Sequence, residues 1–519
     1  MSADRAKLLS SPREAARWRE AQEHLLRGRH AAAQKQYRGL VRDYPGVAEL
    51  WFELGNSAAG ELDFPAANQA YSRARELAGD NAALLSLLGQ QYQTLRQADD
   101  ARRCYEQAAG VAPRSIDSRI NLAVWLEKER RVEEAWDQTQ AALEIDPRDD
   151  QARYFQAFLL HRRHQNEEAA EELRNLIKGG PRYPYVKYAS RHLLGVVCDQ
   201  LGDFDEAMRW LLEAKQEIRT LTDTKVLERG YDEGVRLRHR LLDSFKPDAI
   251  RRWREGTPEG DGPRLAFLGG HPRSGTTLLE QVLDANPDLL AFDEPVAFNQ
   301  EITSRIPLAS TQGDALFRQL DLLPPAKLGE MRQRYLKSLL REAGELEGSP
   351  VLLDKNPSPT ASLGIWLRVF PAMKVIIALR DPRDVITSCF FMNVMLNSTN
   401  VNFLSLERTV KHYRDLMDIW LRLREFEGFD WIESRYEDLV GDLDKEGRRV
   451  TEFLNLDWHA GQSQFHETAS QKLLYAPTYH DVTQKVHRRA VGRWENYRKY
   501  LEPLLPALDT YCRAFGYSP

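Results

Sequence analysis

The chain is short of cysteine, of charge imbalance and of long apolar runs, and each shortage closes off a class of protein. Only 4 of the 519 residues are cysteine. Cys104, Cys198, Cys389 and Cys512 stand far apart without a CxxC pair, so neither a zinc site nor a disulfide framework is expected, and the four read as reduced packing residues. Lys and Arg number 72 against 77 Asp and Glu, a formal net charge of −5. No stretch concentrates the Lys/Arg that nucleic acid or an anionic membrane demands, which removes both as expected partners. The opening MSADRAKLLSSPREAARWRE has no apolar core of signal-peptide length, and no later run approaches the roughly 20 uncharged apolar residues that cross a bilayer. The expectation is a cytoplasmic protein without membrane insertion. What is present is length for two or more domains and an ordinary globular composition, 42% apolar and 29% charged.

Self-similarity comes next. Ala33, Ala67, Ala101, Ala135 and Ala169 recur at a spacing of 34. Tyr37, Tyr71 and Tyr105 keep the same beat, as do Leu54, Leu88 and Leu122, and a terminating proline stands at Pro45, Pro113, Pro147 and Pro181 with Gly79 in the remaining slot. Ala207 continues the alanine series at 38, which places a four-residue insertion around GGPRYPYV, 179–186. Two amphipathic helices per 34 residues, with small residues where they cross and Pro after the second, resemble the tetratricopeptide repeat. Trp51, Leu54 and Gly55 match the family's W-x2-LG positions; Leu88 with Gly89 and Leu194 with Gly195 repeat the pair. About six repeats fill 13–218, the outer ones degraded as the ends of a stack would be. Each helix pair buries its apolar stripe only against a neighbour, so the alanines and tyrosines are packing residues.

Residues 219–245 keep a helical pattern of mixed charge and read as a capping helix, and GTPEGDGP (256–263) reads as a linker, giving a capping and linker segment over 219–263. Beyond it the character changes. RLAFLGG is a strand of the buried type, and further strands are expected at 351–354 (VLLD), 374–381 (KVIIALRD) and 429–436 (FDWIESRY). Strands alternating with helical stretches over 264–519 predict a three-layer α/β domain with a parallel sheet. The fold class is therefore an all-α repeat solenoid followed by an α/β domain.

The first strand of that domain runs through Gly270-His-Pro-Arg-Ser-Gly-Thr-Thr277 into the helix LLEQVLDAN. A strand, a small-residue loop and a helix start converge backbone N–H groups and the helix dipole on one anion. Gly270 and Gly275 have the spacing of a P-loop, but Thr276 stands where a nucleotide kinase needs lysine, and the cation has moved to Arg273. Without the lysine that reaches the β and γ phosphates, the loop suits a single phosphate carrying a less charged transferable group. PRSGTTLLEQVLDANP, 272–287, resembles the 5′-phosphosulfate loop of the sulfotransferases, and in particular of the tyrosylprotein sulfotransferases. The resemblance implies the donor 3′-phosphoadenosine-5′-phosphosulfate (PAPS), no metal, and Arg273, Ser274, Gly275, Thr276 and Thr277 around its 5′ end. It further implies that Arg380, closing the strand VIIALR, and Ser388, eight residues on, hold the 3′-phosphate. RYEDLV matches the family's strand tyrosine near the nucleotide at Tyr436, which reads equally well as strand core. VHRRAVGRWENY, 486–497, matches the C-terminal loop, with Arg493 a phosphate ligand, and Thr478 stands near the family's donor-touching serine. Arg383 and Asp384 read as a surface ion pair opening a helix.

Sulfuryl transfer to a hydroxyl calls for a base, for cations on the moving group and for alignment. By resemblance the base is the glutamate of an acidic pair 21 residues after the loop arginine, which is Glu294 beside Asp293. LLDKNPSPT lacks the histidine used by small-molecule sulfotransferases and offers Lys355 in the tyrosylprotein context. Lys355 and Arg273 are assigned to the sulfuryl group, each contributing about 2–4 kcal/mol. His271 reads as a loop-packing side chain. The chain departs from the family after the base: Pro295, Val296 and Gln300 stand where threonine and two arginines read acidic peptides. The expected function is a PAPS-dependent sulfotransferase acting on a protein or peptide tyrosine, with the repeats recruiting the acceptor protein. A homodimer is compatible with this. Rival readings are a carbohydrate, lipid or small-phenol acceptor, and a non-catalytic repeat scaffold carrying a nucleotide-binding fold.

Overall fold

A computed structural model describes residues 3–61, 63–257, 264–306, 313–343, 348–393, 395–471 and 484–518. Two compact units divide between Leu201 and Gly202. Among the described residues no helix is long and apolar enough to cross a membrane.

The first unit is all helical. Helices Pro12–Leu26 and His30–Asp43, Ala48–Gly60 and Phe64–Ala78, Ala82–Thr94 and Ala98–Val111, Ile116–Lys128 and Val132–Ile145, and Asp150–Arg162 and Asn166–Gly179 form successive pairs. Asp63, Asn81, Ser115 and Asp149 each begin a helix by accepting a backbone N–H of its first turn, and such caps stabilise a helix by about 1 kcal/mol. The alanines of the 34-residue beat are all fully buried. Their small size lets the helices cross closely, and the glycines do the same for the tyrosines. A Cβ on Gly55 would lie 2.4 Å from the ring of Tyr71, and one on Gly89 would lie 2.7 Å from that of Tyr105. The conspicuous repeat residues are thus one contact seen from both sides. The extra four residues near 179–186 do not enlarge a loop. Helices 48–60, 82–94, 116–128 and 150–162 have 13 residues each, and Pro184–Gln200 has 17.

The repeat register and the compact units end at different places. Helix Phe204–Arg219, which by register closes the sixth repeat, belongs to the second unit. Its fully buried Lys215 donates to the Met392 carbonyl at 2.6 Å and lies over the Phe390 ring. Asp205 pairs with Lys499 at 2.5 Å, and Phe204 packs edge-on against Tyr497. Helix Thr224–Asp243, read from sequence as a cap for the solenoid, also packs in the second unit: Arg408 grips Asp232 through both nitrogens at 3.1 Å, and Arg422 reaches Asp243 at 2.6 Å.

The second unit is built on five parallel strands, β1 (Leu265–Gly270), β2 (Leu289–Asp293), β3 (Val351–Lys355), β4 (Lys374–Leu379) and β5 (Trp431–Arg435), in the order β2-β3-β1-β4-β5. Strand β2 is an addition to the sequence expectation. Helices cover both faces, which is why the strands read as near-continuous apolar runs. On one face Ala266, Leu268, Leu353, Ile376 and Ala378 pack against Leu279 and Leu283 of helix Thr276–Asp284 and against Leu439, Val450 and Leu454. On the other, Phe267 meets Trp366, whose ring stacks on Phe298 at 3.9 Å. The chain leaves β1 towards β2 and leaves β3 in the opposite direction towards β4, so the strand order reverses between β1 and β4. Ligands of open α/β sheets bind outside the carboxyl ends of the strands at such a reversal.

Gly89→Ala should lower the stability of the repeat unit by about 1–3 kcal/mol, because the methyl meets Tyr105. Gly110→Ala, with nothing within 4 Å of the new Cβ, should raise it by about 0.5–1 kcal/mol through helix propensity alone. Urea unfolding followed by far-UV circular dichroism separates the signs, and two shifts of the same sign would contradict this packing.

Candidate active site

The carboxyl ends of the five strands carry the site. Gly270 leaves β1 at φ +124°, its N–H donating to Thr360 Oγ1 at 2.8 Å while the same hydroxyl donates back to the Gly270 carbonyl at 3.1 Å. Arg273 follows in the left-handed region at φ +73° and Gly275 at +94°. A Cβ on Gly275 would lie 2.7 Å from the Tyr436 ring, so glycine is required there by both backbone and neighbour. Helix Thr276–Asp284 then points its N-terminus at the cleft.

That cleft, about 170 Å³, is lined by Arg273, Gly275, Thr276, Thr277, Arg380, Ser388, Tyr436 and Arg493, together with Gln484, Val486, His487 and Ala490. Residues more than two hundred positions apart in the chain share one concavity. Arg273 Nε donates to Ser388 Oγ at 3.0 Å. Arg380, at the end of β4, donates to the Arg273 carbonyl at 3.3 Å and to the Ala490 carbonyl, and its guanidinium lies 5.0 Å from the Tyr436 ring centre. Tyr436 is half-buried against the loop, outside β5. Ser274 Oγ and Arg380 Nε are buried with no hydrogen-bond partner among the described residues. Thr478 lies outside the described residues.

Glu294 and Lys355 do not line this cleft. They stand at the ends of β2 and β3, on the other side of β1. Glu294 takes φ +49°, a strained setting for a residue with a side chain, and its N–H donates to the Lys355 carbonyl at 2.8 Å. Its carboxylate is half exposed. The Lys355 amine is fully buried and contacts Asp293, Glu294 at 3.4 Å and Glu280 at 3.6 Å. Burial alone drives that amine down, but Glu280, Asp293 and Glu294 outweigh it and hold the charge above the ordinary lysine range.

Asp384 is not a surface residue. It is buried, and its carboxylate accepts the N–H groups of Gly492 at 2.7 Å and Trp494 at 2.9 Å, which straddle Arg493. Arg383 pairs instead with Asp381, at 2.7 and 2.9 Å, and covers the Trp494 ring. Burial raises the Asp384 carboxyl, opposed by Arg380 and the two N–H groups. His271 is buried under the loop: its Nδ1–H donates to the Pro272 carbonyl and its Nε2 accepts from His412 Nδ1, both at 2.7 Å. Burial lowers the ring to about 4, with the Pro272 carbonyl opposing, so it is neutral at physiological pH.

Residues 265–460 match the sulfotransferase family, and residues 19–82, 86–150 and 156–220 match the tetratricopeptide repeat. The chain carries a sulfotransferase-family domain after a tetratricopeptide array. An uncharacterized protein of Aquifex aeolicus (strain VF5) is 27% identical over 329 residues, 61% of this chain and 41% of its own length. Protein-tyrosine sulfotransferase A of Caenorhabditis elegans is 27% identical over 196 residues, 37% of this chain and 50% of that protein. Among solved structures, the sulfotransferase domain of the Synechococcus PCC 7002 olefin synthase is similar at 22% identity and a TM-score of 0.32, covering 46% of this chain and 90% of that one. The chain spans about half the length of the curated relatives it matches.

Within the sulfotransferase domain, sequence reading missed Glu280 and the anchoring role of Asp384. An acid inside the apolar run LLEQVL was the available signal for Glu280. Asp384 gave none, because its partners are over a hundred residues away. Burial pushes the Glu280 carboxyl up to about 8, Lys355 opposing and Asp293 and Asp284 adding repulsion. Folded Glu280 thus keeps its proton over a pH range in which the unfolded glutamate has lost it, so the native state binds more protons and rising pH destabilises it. Glu280→Gln should therefore flatten the loss of stability between about pH 5 and pH 9, read by urea unfolding. An unchanged pH slope would contradict the buried, protonated state.

Proposed function

We propose that the protein is a PAPS-dependent sulfotransferase acting on an acceptor hydroxyl. The reading rests above all on the cleft in which a phosphate loop and the Arg380, Ser388 and Arg493 cluster converge at the strand-order reversal. The fit is supported by Ser274 Oγ and Arg380 Nε, buried polar atoms left without partners where unpaired groups are costly, and by a loop whose Gly275 admits no side chain. Arg273, Ser274, Gly275, Thr276 and Thr277 would hold the 5′-phosphosulfate, Arg380, Ser388 and Arg493 the 3′-phosphate, and Tyr436 and Thr478 the rest of the nucleotide. When bound, the donor supplies the transferable sulfuryl group.

The chain's own residues do the remainder. Glu294 takes the acceptor proton; its half-exposed carboxylate is open to an incoming hydroxyl while its backbone is fixed to Lys355. Lys355 and Arg273 stabilise charge on the moving group, and Lys355 also orients Glu294. Asp384 positions Arg493 by holding the N–H groups on either side of it.

On the leading reading the repeats over 13–218 present a protein or peptide tyrosine to the domain over 264–519, in keeping with the relatives named protein-tyrosine sulfotransferase. A small phenol is the second reading, favoured by Pro295, Val296 and Gln300 in place of the peptide-reading residues.

Glu294→Ala should cut kcat by about 10²–10⁴ and leave donor affinity unchanged, measured by transfer from labelled PAPS with mass spectrometry of the added sulfate. An active alanine variant sinks the base assignment. Arg380→Ala should weaken PAPS by about 1.5–3 kcal/mol, the range of one charged hydrogen bond, and adenosine 5′-phosphosulfate much less. Calorimetric titration of both nucleotides decides, since equal losses would contradict the 3′-phosphate role.

A further inference from the structure

Two adjoining cavities lie where the chain leaves β2 and β3. The larger, about 210 Å³, is walled by Leu237, Leu241, Phe245, Leu316, Ile365 and Ile419 and edged by Asn299, Thr303 and Ser362. The smaller, about 40 Å³, is lined by Tyr231, Ser358, His412 and Asp415 among others. Arg238, Ala361 and Ile419 line both. Asn299 stands five residues beyond Glu294, and Ser358 three residues beyond Lys355. These two exits are tied together by Asn356 Nδ2 donating to the Pro295 carbonyl at 3.3 Å, and the first is fixed by the Phe298–Trp366 stack. The cavities therefore adjoin the segments that follow the base and the buried lysine, and the smaller one reaches His412, which is hydrogen-bonded to His271 under the phosphate loop.

Volume, walls and charge each narrow the occupant. A cavity of roughly 150 Å³ holds benzene, so the larger space takes one substituted aromatic ring. Its walls are mainly aliphatic and aromatic, with Asn299, Thr303 and Ser362 at the edge, a lining that favours an aromatic ring over a polyhydroxylated sugar. Arg238 sits at the junction with its Nε buried and without a hydrogen-bond partner among the described residues. Burial lowers its pKa, with Tyr231 and Asp415 opposing. Asp415 is the carboxylate of the smaller cavity, but it is engaged by Lys411 at 2.6 Å. The smaller cavity is of the order of one water's share of liquid, ~30 Å³, which suits a single carboxylate.

We infer that the acceptor is a small hydroxyaryl carboxylate, its ring in the larger cavity, its carboxylate on Arg238 and its phenol towards Glu294. The inference rests on the sulfotransferase reading and deepens its small-phenol form. In the step, the phenolic oxygen forms a bond to sulfur as the bond from sulfur to the donor's phosphate oxygen breaks, and the phenolic proton passes to Glu294. The products are an aryl sulfate and 3′-phosphoadenosine 5′-phosphate.

The test uses the full chain. Saturation-transfer NMR and calorimetry without donor compare 3-(4-hydroxyphenyl)propionate, the neutral 4-propylphenol and N-acetyltyrosinamide. The expected result is a tenfold or greater preference for the acid, abolished in Arg238→Gln and partly kept in Arg238→Lys, with PAPS affinity unchanged in both. Equal affinity for acid and neutral phenol, a preference that survives Arg238→Gln, or tighter binding of the tyrosine amide would each overturn the inference. Transfer assays with PAPS then separate the two levels. Acid-selective binding without transfer to any acceptor would sink the sulfotransferase reading and leave the binding site standing. Transfer indifferent to the carboxylate would sink the acceptor assignment alone.

Discussion

The buried ammonium of Lys355 is the constraint on which the β2–β3 side of the sulfotransferase domain depends. An isolated charge in that position would be prohibitively unfavourable, so its surroundings are fixed by the need to compensate it. Asp293 closes β2 and Glu294 begins the exit from it, and these two carboxylates carry the compensating charge, while Glu280, protonated at neutral pH, contacts the amine from the helix that follows the loop. One amine therefore joins β2, β3 and the loop helix, and anything that moves the loop helix is felt at Glu294. Glu294 is held in its left-handed backbone from two sides, its N–H donating to the Lys355 carbonyl while the Lys355 amine reaches its carboxylate.

The β1–β4 side is braced differently, by backbone groups. Arg380 spans the carbonyls of Arg273 and Ala490, and Asp384 one turn later takes the N–H groups of Gly492 and Trp494. The two form an i,i+4 pair at 3.9 Å. One helix start thus holds both the phosphate loop and the segment carrying Arg493, with Ser388 farther along the same helix. Its far end is closed by Lys215 on the Met392 carbonyl, so the closing helix of the repeat register supports the helix that carries Ser388. Truncation at the end of the repeat register would remove that support, whereas a cut at Leu201 would not.

Periodicity made the repeats legible. A 34-residue beat of alanine, tyrosine and leucine is local information, and its physical content, small residues under aromatic rings, is what the helices show. The loop motif was legible for the same reason: GHPRSGTT is contiguous, and its strand, turn and helix follow from neighbours in sequence. Strand β2 was not, because five residues between a helix and a proline are too few to display a period. The four-residue insertion was visible as a count but not as a place, since a longer helix and a longer loop give the same offset. Arg383 and Asp384 were misread because adjacent opposite charges suggest a local pair, while the actual partner of Asp384 is backbone from residues 492 and 494.

By itself the sequence determined the two architectures, the anion loop without its lysine and the identity of the charged residues at each strand end. These follow from hydrophobic period, turn chemistry and contiguous motif, all properties of short segments. Only the tertiary structure decided that Arg273 meets Ser388, that Lys355 is enclosed by three carboxyl groups, that Asp384 anchors the Arg493 segment and that Arg238 stands between two cavities. Each of these joins segments far apart in the chain, and the driving force is the desolvation of charge, which no segment carries until the sheet has brought its neighbours into place.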